Sequence, residues 1–275
     1  TREEDFVKDL FITSTHDNIL FFTNKGRVYT LKAYEIPEGR RQSRGTAIIN
    51  LLNLMKGEKI SAIVPIREYN LESNLILVTK NGIIKKTTLE SFKNIRKNGI
   101  IAINLKDRDE LIEVRKTNGK RDVVVVTANG MSIRFNEEDV RTVGRNAMGV
   151  IAISLKEDDE VVAMDLVEDD KYLLVISEFG FGKRTPLNEY RLQKRGGVGL
   201  ITYNVKEKTG KLVSAKVIDE NDDIIMVSMA GVIIRLETKD ISVMGRSTQG
   251  VTLMKIKKQD DRVMAVAKYV EEVEE

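Results

Sequence analysis

The stretch "VGRNAMGVIAISL" at residues 143–155 returns as "MGRSTQGVTLMKI" at residues 244–256. Its pattern, a basic loop closed by glycine and followed by an alternating apolar strand, recurs through the chain. The closing glycines are Gly45, Gly99, Gly149, Gly199 and Gly250, at intervals of 54, 50, 50 and 51 residues. A second signature runs in step with it: β-branched and aliphatic residues, a Thr or Ser in most copies, a glycine, then a strand carrying basic residues. Its glycines are Gly26, Gly82, Gly130, Gly180 and Gly231, spaced 56, 48, 50 and 51 apart. Two signatures sharing one period identify a repeat architecture, in which each unit buries its apolar face against its neighbours.

Local chemistry fills in the repeat. Segments such as Val123 to Val126 and Ile224 to Val227 are β-branched and flanked by Asn, Asp or Gly, which reads as strand. The pairs Asn81-Gly82 and Asn129-Gly130 suit a tight hairpin turn with positive φ, so each repeat holds a central hairpin. A strand near the acidic turn (residues 160–164) and one after the basic loop (residues 150–155) bring the total to about four, the size of a propeller blade. The expected fold is all-β and propeller-like, with five full repeats of four-stranded blades and a partial sixth. The sixth is inferred because Glu4-Asp5-Phe6-Val7 and Asp261-Arg262-Val263-Met264 both match the start of a unit. It either closes a ring on the first unit or pairs with a unit upstream of Thr1. The absence of tryptophan, a period above forty-five and a basic loop in every copy separate this repeat from WD and kelch propellers.

With 275 residues and 41% hydrophobic content the chain can bury a sizeable core, and every apolar run is broken well before it could span a membrane. Zero cysteines exclude disulfides and thiolate metal sites and fit a reducing cytoplasm. The opening is already patterned, which is expected of a piece of a longer polypeptide. Net charge is +3, yet residues 271–275 hold four glutamates, so residues 1–270 form a basic body and the remainder an acidic tail. That tail is expected to compete with phosphate for the basic loops.

The loops carry Arg40, Arg41 and Arg44, then Arg96 and Lys97, then Arg145, then Lys194 and Arg195, then Arg246, and none of these windows contains an acid. Acids collect instead at residues 107–110, 157–160 and 219–223 and at Asp260-Asp261. If each blade presents its loop at one radius, the loops make a curved positive band able to neutralise successive phosphates of double-stranded DNA. Glycines there admit close backbone approach. A second basic set, Lys85, Lys86, Arg134, Lys183, Arg184 and Arg235, lies on the strands after the hairpin glycines. It reads either as further DNA contacts or as charge guarding a solvated strand edge. Neither a recognition helix nor an aromatic stacking row is evident, so duplex binding should be weakly sequence-dependent and sensitive to deformability.

No enzymatic constellation emerges. Gly182-Lys183 lacks the spacing of a phosphate-cradling loop, His16 has no second imidazole or thiol beside it, and the acid clusters lack a calcium-loop pattern. A protein-interaction scaffold gripping an acidic partner is the rival reading, separable by salt-dependent duplex binding that acidic polypeptides of equal charge do not reproduce.

At "STHDNILFFTNKGRVYTLKAYEIPEGRRQSRGTAIINLL", "NGIIKKT" and the two stretches quoted first, the chain resembles the C-terminal DNA-wrapping β-pinwheel of bacterial DNA gyrase A, with ParC of topoisomerase IV as a close relative. The resemblance implies a β-pinwheel whose rim bends DNA. The pinwheel is attached to an upstream catalytic core that carries the active tyrosine, so none of this chain's tyrosines is nominated and the fragment itself is not an enzyme. It implies a B subunit with ATPase activity in an A2B2 holoenzyme, ATP and magnesium bound elsewhere, no cofactor or metal in this domain, and a nucleoid-associated, cytoplasmic, bacterial setting. The gyrase hallmark is a seven-residue box of the form Q-[RK]-R-G-G-[RK]-G in the first blade. The nearest match here is Gln193, Lys194, Arg195, Gly196, Gly197, Val198 and Gly199, which departs at Val198 and lies in the fourth repeat. Those departures leave supercoiling and a topoisomerase IV-like relaxation or decatenation both open.

Overall fold

The computed structural model describes residues 11, 13–39, 45–256 and 260–269, and contains strands and short 3-10 turns with no α-helix among them. In chain order the first repeat gives β1 (Asn18–Thr23), β2 (Arg27–Lys32) and β3 (Ile60–Ile66). The second gives β4 (Asn74–Thr79), β5 (Ile83–Thr88), β6 (Ile100–Ile101) and β7 (Leu111–Thr117), and the third β8 (Asp122–Thr127), β9 (Met131–Asn136), β10 (Val150–Ile151) and β11 (Val161–Leu166). The fourth gives β12 (Tyr172–Ser177), β13 (Phe181–Pro186), β14 (Leu200–Ile201) and β15 (Leu212–Ile218), and the fifth β16 (Asp223–Ser228), β17 (Ile233–Glu237), β18 (Val251–Thr252) and β19 (Val263–Tyr269).

Two compact units result. One, Ile12–Arg121 with Glu137–Ala152, holds the antiparallel sheets β3-β1-β2-β6 and β10-β5-β4-β7. The other, Asp122–Asn136 with Ile153–Glu275, holds β11-β8-β9-β14, β15-β12-β13-β18 and the three-stranded β17-β16-β19.

The four-stranded sheets form as expected, but a repeat does not build its own sheet alone. After the second to fifth basic loops the strand is two residues long, not six, and it joins the preceding repeat: β6 pairs with β2, β10 with β5, β14 with β9 and β18 with β13, whereas the first loop is followed by a 3-10 turn at Ile48–Asn50. Within a repeat the closing strand takes one hairpin edge, as β3 takes β1, which leaves the other edge to be covered by the next repeat. The segment read as the start of a sixth copy is the closing strand of the fifth hairpin, where β19 pairs with β16 from Asp223↔Tyr269 to Ser228↔Val263.

The first strand of each hairpin is an unbroken apolar run because both of its faces are covered. Residues 19–23 of β1 are all buried, as are residues 123–127 of β8. In the first unit Leu20, Phe22, Val64 and Ile66 pack with Leu75, Leu77, Leu89 and Phe92, and the Phe22 and Phe92 rings meet edge-on at 6.0 Å. In the second unit Val124 and Val126 pack with Leu173, Val175 and Tyr190.

The acidic turns have a structural task. Asp159 accepts from the amides of Asn129 and Glu160 at 2.9 Å each and from Thr127 Oγ1 at 2.7 Å, closing the hairpin turn at Asn129-Gly130. Asp109 accepts from the amides of Asn81 and Glu110, and Asp261 from those of Ala230 and Arg262. The acids are therefore fastened to hairpin turns. Asp159→Ala should destabilise the chain by about 2 kcal/mol in urea unfolding, because it strips three donors of a charged acceptor. A change below about 0.5 kcal/mol would show that the turn closes without it.

Candidate nucleic-acid interface

Three of the basic loops are arches with both feet on one strand of the preceding hairpin, and the loop at residues 96–99 lands on β2 in the same way. In the first unit Thr142 bridges Lys86 in parallel and the Val143 amide donates to Lys86 O at 2.9 Å. The chain then arches over residues 144–149 and lands antiparallel, with Val150↔Ile84 and Ile151↔Ile83. In the second unit Gln193 N donates to Arg134 O and Leu200 lands on Ser132, while Met244 N donates to Arg184 O and Val251 lands on Gly182.

Beneath each arch lies the residue three beyond the hairpin glycine: Tyr29, Lys85, Ile133 and Lys183. A Cβ on Gly99 would come within 2.7 Å of the Tyr29 ring, and Tyr29 OH donates to Glu58 Oε2 at 2.6 Å. Burial, then that carboxylate, raises the Tyr29 pKa. Ile133 lies under the box-like loop, with Cδ1 3.7 Å from where a Gly197 Cβ would sit.

The loop cations differ in exposure, and two of them are tethered. Arg96, Lys97 and Lys194 are exposed, whereas Arg145, Arg195 and Arg246 are half-buried. Arg145 Nη1 donates to Ile101 O at 2.9 Å, and Arg246 Nη1 repeats the bond to Ile201 O at 3.2 Å. Each guanidinium is thus pinned to the short strand of the preceding loop. Backbone bonds sew the loops together as well, from Asn104 N to Ala147 O, Ser154 N to Gly197 O and Asn204 N to Thr248 O. In the first unit Arg27, Lys93, Arg96 and Arg145 line one open cleft with Ile100 and Asn146. Arg27 and Lys93 escaped the sequence reading. Arg27 follows a hairpin glycine where other repeats carry apolar residues, and its Nη2 donates to Asn98 O at 2.6 Å and Gly99 O at 3.1 Å.

The strand-end cations take a third role that neither sequence reading considered. Lys85 and Lys183 are fully enclosed, and Lys86 and Arg184 are nearly so. Lys86 Nζ donates to Glu137 O at 2.8 Å, Arg134 Nη1 to Leu187 O at 3.0 Å, and Arg184 to Ile241 O at 2.8 Å and Lys239 O at 3.1 Å. Each reaches the 3-10 turn of the next repeat or the residue just after it. Arg134 also binds Asp122, and Arg184 binds Glu220 and lies over the Tyr172 ring at 4.5 Å. These residues fasten consecutive repeats, and their burial takes Lys85, Lys86, Lys183 and Arg184 out of reach of a ligand. Arg235 differs: its side chain is 53% exposed, paired with Asp223 and stacked 4.9 Å from the Tyr269 ring centroid.

Within the box-like segment, Lys194 and Val198 are exposed, so a basic residue at position 198 would project to solvent. Gly196 O and Gly197 O accept from the Ser154 hydroxyl and amide at 2.7 and 2.9 Å. Arg40, Arg41, Arg44 and the acidic tail lie outside the described residues. Among the described residues no cluster of three or more His, Cys, Asp or Glu could hold a metal, and no helix is long and apolar enough to cross a membrane.

Strand-exchanged sheets repeating every fifty residues or so, with a basic arch at the exchange, define a repeat protein of the β-propeller class. The chain belongs to the family described as DNA gyrase C-terminal domain, beta-propeller, which matches residues 17–67, 73–118, 121–168, 171–219 and 222–268. It is 59% identical to the DNA gyrase A subunit of Halalkalibacterium halodurans over 98% of its own length and 32% of that protein's, so it spans about a third of such a relative. Among solved structures it is similar to a C-terminal domain of DNA topoisomerase IV, with TM-score 0.84 and 30% identity, covering 92% of this chain and 79% of that one. It is also similar to a DNA gyrase A C-terminal domain, with TM-score 0.82 and 29% identity, covering 94% and 84%.

Proposed function

We propose that the basic arches bind the backbone of duplex DNA and bend it, as the DNA-wrapping part of a gyrase A protein. The observation that carries this reading is the repeated tether of Arg145 and Arg246 to the carbonyls of Ile101 and Ile201. A guanidinium fixed by one bond, with donors to spare, meets phosphate at low entropic cost. Contact is proposed for Arg96, Lys97, Arg145, Lys194, Arg195 and Arg246, with Arg27 and Lys93 added and Arg40, Arg41, Arg44 and Arg235 retained.

The whole protein, on this reading, is an ATP-dependent type II topoisomerase of the bacterial cytoplasm. Its tyrosine lies upstream, its B subunit carries the ATPase in an A2B2 assembly, and this domain needs no cofactor. Relatives named as gyrase A favour supercoiling. The likeness to a topoisomerase IV domain and Val198 in the box keep relaxation or decatenation as the second reading.

Bending a short duplex costs on the order of several kcal/mol, so more than one arch must contribute. Lys194→Ala with Arg195→Ala should lower end-to-end energy transfer in a doubly labelled duplex while affinity for a short duplex falls only a few-fold. Unchanged transfer would remove the box-like loop from the bending surface.

A further inference from the structure

Two of the arches enclose an ammonium group. Lys85 rises from β5 beneath residues 144–149, and its Nζ donates to the carbonyls of Ala102, Gly144 and Arg145. Lys183 rises from β13 beneath residues 245–250 and donates to the carbonyls of Gly245 and Arg246. Both are fully buried, and all of these acceptors are peptide carbonyls. The equivalent places under the other two arches hold Tyr29 and Ile133, which bring no positive charge.

The carbonyl cage has a consequence for the outer surface. In a trans peptide the C=O and N–H point in opposite directions. Turning Gly144 O and Arg145 O inward therefore turns the amides of Arg145 and Asn146 outward, beside the tethered guanidinium. In the second case Arg246 N faces Glu189 Oε2 at 3.4 Å, and the amide of Ser247 is turned out. At Arg145 and Asn146 the two successive outward amides form a concavity suited to an anion's oxygens, whereas at the second arch the Ser247 amide alone is turned out unpaired with Glu189.

We propose that Lys85 and Lys183 are positioning residues for DNA, each holding its arch in the phosphate-accepting shape, and that duplex binding by these arches is coupled to the protonation of the enclosed amine. This rests on the reading of the arches as the DNA surface. A neutral amine at Lys85 has two hydrogens for three carbonyls, and at either lysine deprotonation removes a positive charge from directly beneath the bound phosphate.

The lysines are placed to titrate where such coupling matters. Burial, then the Arg145 guanidinium, holds Lys85 down to about 7. Burial holds Lys183 down to about 8, with Glu189 acting upward and Arg246 downward. A phosphate on the arch favours the charged form, so DNA binding takes up protons, and by reciprocity affinity falls as pH rises through this window. Folding runs the other way. With folded values below the unfolded one near 10.4, the unfolded chain binds more protons above pH 7, and stability rises with pH from there to the unfolded value.

The test uses this 275-residue chain, a short duplex and low salt. Parent affinity should fall about tenfold from pH 6.5 to 9, the effect of a one-unit shift shared by the two sites. Calorimetry at pH 8 in two buffers of different ionisation enthalpy should show net proton uptake. Lys85→Met with Lys183→Met should bind several-fold more weakly at pH 6.5 and lose the slope. If the double variant fails to fold, the parent's pH slope and proton uptake still decide. A flat parent profile without proton uptake would overturn the coupling while leaving the arches as DNA sites, and so would an equal slope in the folded variant. Absence of binding at every pH would overturn the DNA reading itself.

Discussion

Alanine at Arg145, Arg195 and Arg246 together is expected to reduce duplex affinity on the order of a hundredfold at low salt, and to lower the slope of log affinity against log salt by about 2.7. The three occupy the same position, four residues before a landing glycine. Each neutralised phosphate releases roughly 0.9 of a counterion from B-form DNA, so the slope counts contacts independently of any loss of fit. Stability should change little. The side chains are half-buried, and what Arg145 and Arg246 give up is a bond to a carbonyl at the surface. Titration of a labelled duplex at several salt concentrations, with thermal unfolding alongside, separates the two effects. A variant that weakens binding at an unchanged slope would mean that these arginines shape the arch without meeting phosphate. The contact surface would then shift to Arg96, Lys97 and Lys194.

How much of this was legible depends on which physical signal each feature left in the sequence. The hairpins were plain because the Asn-Gly turns and apolar runs are local, and the repeat because two independent glycines keep the same period. The exchange of the short strand was not. A ladder of two residues such as Val150–Ile151 carries no alternation long enough to name its partner, and the choice between neighbouring hairpins is made by which edge is left open. The strand-end cations failed for a related reason. A lysine pair on a strand reads as solvent-facing charge until the carbonyls that enclose it are known, and backbone carbonyls leave no mark in a sequence. One signal was available. Aligned on the hairpin glycine, Lys85 and Lys183 fall where Tyr29, Ile133 and Ile234 stand in the other repeats, which marks an interior position. The loop cations Arg96, Lys97, Arg145, Lys194, Arg195 and Arg246 stand out in the sequence because the loops exclude acids. The structure explains that segregation by fastening Asp109, Asp159 and Asp261 to hairpin turns.

The glycines of the box-like loop separate folding from function, and substituting them one at a time is expected to show it. Gly199 has φ +79°, and a Cβ there would sit 2.3 Å from Ser132 O, a backbone atom of β9 on which the loop lands. Gly199→Ala combines left-handed backbone strain of about 1 kcal/mol with a clash that only movement of the loop or strand can relieve. A loss of roughly 3 kcal/mol in urea unfolding is expected. Gly197 is in the opposite situation: its φ lies outside the left-handed range, and the nearest atom to a Cβ is Ile133 Cδ1 at 3.7 Å, an ordinary contact. Gly197→Ala should fold within about 0.5 kcal/mol of the parent, the stiffer unfolded chain offsetting any local cost. If Gly199→Ala matched the parent in stability, the landing of the loop on β9 would be disproved. The behaviour of Gly197→Ala toward DNA is then informative by itself. A variant of native stability that bends a labelled duplex poorly places a phosphate against that glycine, because the methyl group obstructs nothing within the protein. Native bending would put the DNA on the Lys194 and Arg195 side of the arch.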